Sequence, residues 1–154
     1  MAGKVLHLNG FGLRTYSWLG IHIYVAALYL EDVSSDATTI IGSPETKLLT
    51  VRFERDINSE QARNAWRDGF AKNCENPCHL DAQEEQRFLS KVPAMRAGET
   101  FDLLFTRDGV DILDGGQTIG EVADAGFAGA MLSVFLGPRP ASEPLKAGLL
   151  RGHE

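Results

Sequence analysis

The stretch that most constrains this chain runs from Leu8 to Glu31. It reads Leu8-Asn-Gly-Phe-Gly-Leu-Arg-Thr-Tyr16, a break at Ser17-Trp-Leu-Gly20, then Ile21-His-Ile-Tyr-Val-Ala-Ala-Leu-Tyr-Leu-Glu31. This is the longest apolar run in the protein, yet Arg14, His22 and several tyrosines are threaded through it. Gly20 can take positive φ without steric cost, so the break is a place to reverse direction. A reversal centred on Leu19 sets Arg14 opposite Tyr24 and Tyr16 opposite His22. Side chains alternate along a strand and directly opposed residues share a face. The odd-numbered face then carries Phe11, Leu13, Ile21, Ile23, Val25, Ala27 and Tyr29, and is the expected core face. The even-numbered face carries Gly10, Gly12, Arg14, Tyr16, His22, Tyr24, Ala26 and Leu28. A cation and two phenols among small and apolar residues read as a pocket wall. The plainer alternative is a sheet half covered by helices, with Arg14 reaching water along its aliphatic stem.

The chain of 154 residues is read as one domain, 1–154, large enough to bury about two-thirds of its unfolded surface. Its net charge of −6 argues against nucleic acid, which calls for a basic surface. No apolar run of about 18 residues occurs, so nothing in the chain is expected to span a membrane. Met1-Ala-Gly-Lys-Val5 lacks the apolar region of a secretory signal, so the chain as written reads as cytoplasmic. Cys74 and Cys78 leave three alternatives open: a local disulfide, a metal site or two free thiols. Zinc needs about four ligands, and Cys74, Cys78 and His79 supply too few nearby. A disulfide there would instead favour an oxidising compartment, a periplasmic one if a signal had been trimmed.

Beyond the hairpin, Ser34-Ser-Asp36 caps a short helix through Ile41 that Gly42 and Pro44 end. Lys47 to Glu54 is a strand with Leu49, Val51 and Phe53 on one face. Asn58-Ser59 caps a helix to about Asn73, whose Ala62, Ala65, Trp66, Gly69 and Phe70 form one apolar stripe. Trp66 and Phe70 are core candidates, and pocket-lining candidates if this helix covers the even face of the hairpin. Asp81 begins another helix. Thr100–Phe105 and Val110–Leu113 are strands joined through Arg107-Asp-Gly109, and Asp114-Gly-Gly116 turns into a further strand at Thr118-Ile119. Phe127–Leu136 is an apolar helix, and a last one follows Ser142. Antiparallel strands with helices grouped between them indicate an α+β protein, its antiparallel sheet covered by helices on one face.

Motifs for common chemistry are missing. Asn9-Gly-Phe-Gly12 opens no helix, so it is not a dinucleotide fingerprint. There is no phosphate loop, zinc-protease helix or nucleophile elbow, and the reading calls for no cofactor and no metal. Of the histidines only His22 falls near Arg14 and Tyr24. A neighbouring guanidinium disfavours its cation, which suits pocket polarity better than base catalysis.

Several segments taken together resemble the chalcone isomerase-like family, most closely its bacterial branch. They are Asn9-Gly-Phe-Gly-Leu-Arg14, Tyr24-Val-Ala-Ala-Leu-Tyr-Leu30, Arg55-Asp-Ile57, Gly120-Glu-Val122, Phe127, Phe135-Leu-Gly-Pro-Arg-Pro140 and Leu149-Leu150. The likeness implies an open-faced β-sandwich with a ligand cleft between sheet and helices. That superfamily holds plant enzymes that close chalcones to flavanones, and non-catalytic members that bind fatty acids. Both use a hairpin arginine, which Arg14 matches. The binders pair it with a tyrosine, which Tyr24 matches, where the enzymes look to have a threonine. The enzymes' helical tyrosine and asparagine fall on Asn58 and Ala65, their threonine on Val134, and the glycine after the arginine on Thr15.

The resemblance therefore implies non-catalytic binding of a fatty acid or similar small, hydrophobic, anionic ligand anchored by Arg14 and Tyr24, with Tyr16, His22, Trp66 and Phe70 as further candidates. The alternative is an intramolecular lyase of chalcone isomerase type, with Arg14 as its one catalytic candidate. A third reading, a protein acting through a partner, calls for an exposed apolar patch.

Overall fold

The hairpin forms, and the remaining strands are laid down beside it in chain order. The computed structural model describes residues 3–16, 20–73 and 80–151. β1 (His7–Tyr16) and β2 (Ile21–Leu30) run antiparallel, and Gly20 takes the positive φ of 71° that the reversal calls for. β3 (Lys47–Phe53), β4 (Thr100–Thr106), β5 (Gly109–Asp114) and β6 (Gln117–Val122) follow in the same order across one sheet, every pair antiparallel. The expected turns at Ser17–Leu19 and the Cys74–His79 segment lie outside the described residues.

Among the described residues five helices fill the gaps: α1 (Ala37–Gly42), α2 (Ser59–Asn73), α3 (Ala82–Ser90), α4 (Ala125–Leu136) and α5 (Glu143–Arg151). Their starts are set by local chemistry. Asp36, Asp81 and Asp124 each accept hydrogen bonds from first-turn N–H groups of α1, α3 and α4. At α2 the cap is reciprocal: Gln61 N–H donates to Asn58 Oδ1 at 2.7 Å and Asn58 N–H donates to Gln61 Oε1 at 2.9 Å. α5 lies on β1 and β2, α4 on β5 and α3 on β6, while α1 and α2 pack on α4. The architecture is α+β, an antiparallel sheet with helices on one face. Among the described residues no helix is long and apolar enough to cross a membrane.

The covered face is the even one, contrary to the odd-face core expected from alternation. Ala26 and Leu28 are fully enclosed, whereas Phe11 is 59% exposed and Leu13, Val25, Ala27 and Tyr29 are half-buried. Two causes act together. Gly10 pairs with Leu28 and Gly12 with Ala26, so the missing side chains of β1 leave a trough in which α5 lies. Across the sheet, Leu28 pairs with Leu49, Leu49 with Leu103 and Leu103 with Ile112, which makes the even face of β2 continuous with an apolar row. Glycines that look like weak points in a strand are the reason a helix can cover it. The odd face of the hairpin is left as an open, partly apolar surface that includes Leu8 and Phe11.

Candidate functional site

Arg14 and Tyr24 are direct cross-strand partners on the covered side of the hairpin. Tyr24 stands at the margin of the core, its ring edge-on to Phe53 at 5.7 Å, and Phe53 is its partner on β3. Burial pushes the Tyr24 phenol up to about 12, and the neighbouring Arg14 cation opposes only part of that rise. The phenol is therefore a neutral O–H donor at any physiological pH and not a base.

Arg14 is half-buried, and one of its terminal nitrogens donates to the carbonyl of Thr15 at 2.8 Å. Among the described residues no carboxylate pairs with it. A guanidinium drawn partly out of water with spare donors and no counter-ion is a place for an anion.

The register between Arg14 and the turn differs from the expected one. Thr15, not Tyr16, lies opposite His22, and Tyr16 lies opposite Ile21. An extra residue on β2, Ile23, sits at this irregularity, and its carbonyl accepts from Glu54 N–H at 2.8 Å. His22 is exposed. A uniform two-residue alternation cannot foresee such a bulge.

Trp66 and Phe70 are buried in an aromatic cluster. Trp66 meets Phe88 at 4.9 Å and Phe135 at 5.8 Å, and Phe70 meets Phe127 at 5.3 Å. Ala65, expected in the same stripe, is exposed. The positions onto which the enzymes' other residues fall have local duties: Asn58 is the α2 cap, and Val134 is buried where a Cβ on Gly69 would touch it at 2.7 Å.

One residue of this region carried no signal in the alternation. Asn9 occupies the bulge between Leu8 and Gly10 and is fully buried. Its amide donates to Ser34 O at 2.9 Å and Leu149 O at 2.8 Å, and its carbonyl accepts from Ser34 N–H at 2.8 Å. It thereby joins β1, the segment leading to α1 and the end of α5. The polar residue inside an apolar run was the clue.

Among the described residues, a pocket and a groove lie elsewhere. One of about 30 Å³, enough for a single water, is an open pocket lined by the Glu31–Asp32 and Ser43–Lys47 segments. The other is a groove of about 410 Å³ between α1, α4 and the β4–β5 turn. Neither is lined by Arg14 or Tyr24. Among the described residues no group of acidic, histidine or cysteine side chains could hold a metal ion.

An antiparallel sheet in chain order, covered on one face by helices and carrying an arginine–tyrosine pair at the margin of the covered face, defines a small class of folds. The chain belongs to the chalcone isomerase-like family, whose model matches residues 1–151. Among solved structures the fold is similar to a fatty-acid binding protein of Arabidopsis thaliana, AtFAP1. The TM-score is 0.79 and the identity 17%, over 97% of this chain and 88% of that one. No curated protein sequence matches.

Proposed function

We propose that this protein binds a fatty acid or similar hydrophobic carboxylate without transforming it, with Arg14 and Tyr24 as the headgroup anchor. The observation that carries this reading is the half-buried Arg14, lacking a carboxylate partner among the described residues, directly opposite a neutral phenol donor. The planar guanidinium can meet a carboxylate with two parallel N–H donors, and Tyr24 can add a third. Charge-assisted bonds contribute about 1.5–3 kcal/mol each. Each buried methylene of an acyl chain contributes about 0.8 kcal/mol. The tail would thus supply most of the affinity and the anchor most of the orientation.

The family and the fold shared with a fatty-acid binding protein support this reading. Asn58 spends its side-chain carbonyl on the α2 cap, and Ala65 and Val134 have no polar group to offer a reacting chalcone, which weighs against the isomerase alternative. The test is native mass spectrometry of the purified protein with lipid extraction, followed by titration with palmitate. Arg14→Ala should weaken palmitate binding by about tenfold or more. Affinity unchanged in Arg14→Ala, or cyclisation of a chalcone faster than in buffer and dependent on Arg14, would overturn the reading.

A further inference from the structure

The groove between α1 and α4 lies at the end of the covered face remote from Tyr24. Tyr24 pairs with Phe53 at one end of β3, and Lys47 pairs with Leu30 and Phe105 at the other. Buried Phe105 and Leu132 stand at its base, with Ile41 and Gly129 on its walls. Its width comes from small residues. A Cβ added to Gly129 would meet only Ile41 Cγ2, at 3.9 Å, and one added to Gly42 would meet nothing within 4 Å. The resulting volume of about 410 Å³ falls in the range of small-molecule sites, roughly 300–1,000 Å³.

The charges at this groove are unequal. Lys47 is committed: its ammonium is buried and donates to the carbonyls of Ser43 at 2.7 Å and Glu45 at 3.2 Å. Asp124, at the start of α4, is also committed, accepting from Phe127 N–H at 3.0 Å. Arg107, on the β4–β5 turn, lines the groove, is exposed and has no hydrogen-bond or ion-pair partner among the described residues. An apolar trough with one unengaged guanidinium at its mouth is complementary to a single-tailed molecule with one negative charge. Neutral apolar ligands would leave the cation idle, and among the described residues no second unengaged cation lines the groove to hold a further negative charge.

We propose that the α1–α4 groove is a second ligand site, taking a free medium-chain carboxylate with its tail along Ile41 and Gly129 and its head on Arg107. The proposal stands apart from the Arg14 anchor, and the test keeps the two separate. The isotope-labelled full chain is titrated with sodium decanoate below its micellar range, and with decanol as the uncharged control, while amide resonances are followed. The expected result is saturable shifts at Thr106, Gly126 and Gly129 that persist in Arg14→Ala. They should be lost in Gly129→Leu, whose side chain fills the groove, and weakened about tenfold in Arg107→Gln, to the level of decanol. Arg107 sits on an exposed turn, so that second variant decides the matter if Gly129→Leu disturbs folding. Shifts confined to β1 and β2, no saturable shift at these amides, or decanoate affinity at the groove unchanged in Arg107→Gln would overturn it.

Discussion

The helix layer meets the sheet in two different ways. Over the hairpin, α5 comes down on bare backbone: a Cβ on Gly10 would lie 2.2 Å from Gly148 O, and one on Gly148 would lie 2.4 Å from Phe11 O. Away from the hairpin, the interior is filled by rings, with Trp66, Phe70, Phe88, Phe127 and Phe135 packed largely edge-on and tilted against one another. A contact made by absent side chains has no slack, whereas a contact made by side chains can repack. The first region also holds the buried polar group Asn9 and ends at the Arg14–Tyr24 pair. The second is dominated by aromatic rings.

Gly10→Val tests the backbone contact over the hairpin most severely. The clash is with carbonyl oxygens and not with a flexible side-chain end, so α5 must lift from β1. A loss of about 4 kcal/mol or more is expected in urea unfolding, or failure to fold at all. A wild-type midpoint would show that α5 is not held as described. In the aromatic region, Phe88→Ala should cost about 3–4 kcal/mol and Phe88→Leu far less, because neighbouring rings can shift into the space. Equal costs for those two substitutions would remove the distinction between the regions. Asn9→Ala comes next, at about 2–3 kcal/mol, since it orphans the buried carbonyl of Leu149 and removes two partly buried bonds to the Ser34 backbone. Amide exchange should then quicken in α5 and at Ser34 but not in α2.

The two regions also differ in how far the sequence disclosed them. Helix starts at Asp36, Asn58 and Asp81 are local hydrogen-bonding problems, readable from a few consecutive residues. The pairing of Arg14 with Tyr24 is nearly as local, because a tight reversal leaves little choice of register. The choice of core face was not local. It depends on α5, some 140 residues along the chain from Asn9, settling on Gly10 and Gly12. Alternation in β1 and β2 offers apolar residues on both faces, so hydrophobicity alone favoured the side with larger side chains. The bulges at Asn9 and Ile23 are invisible to a strict two-residue period, which is why alternation sets His22 opposite Tyr16 while the sheet sets it opposite Thr15. The groove beside Arg107 escaped for a related reason: it is made where α1, α4 and a turn fail to meet, and no single stretch encodes a gap.

The smallest expected effect concerns the margin between these regions, where Tyr24 meets Arg14. An unfolded Tyr24 ionises near pH 10, while the folded one holds its proton to about 12. Stability tied to the neutral phenol is therefore complete below pH 10 and is lost as pH climbs from 10 to 12. Tyr24 keeps some exposure, which leaves the effect on the order of 1–2 kcal/mol. Tyr24→Phe should flatten the fall in unfolding midpoint across this window relative to the wild type. Arg14→Ala should instead move the ultraviolet titration of Tyr24 still higher, because the cation now lowers it. A downward move would mean that the guanidinium does not face the phenol. The pair would then cease to be a headgroup anchor, whatever the hairpin register shows.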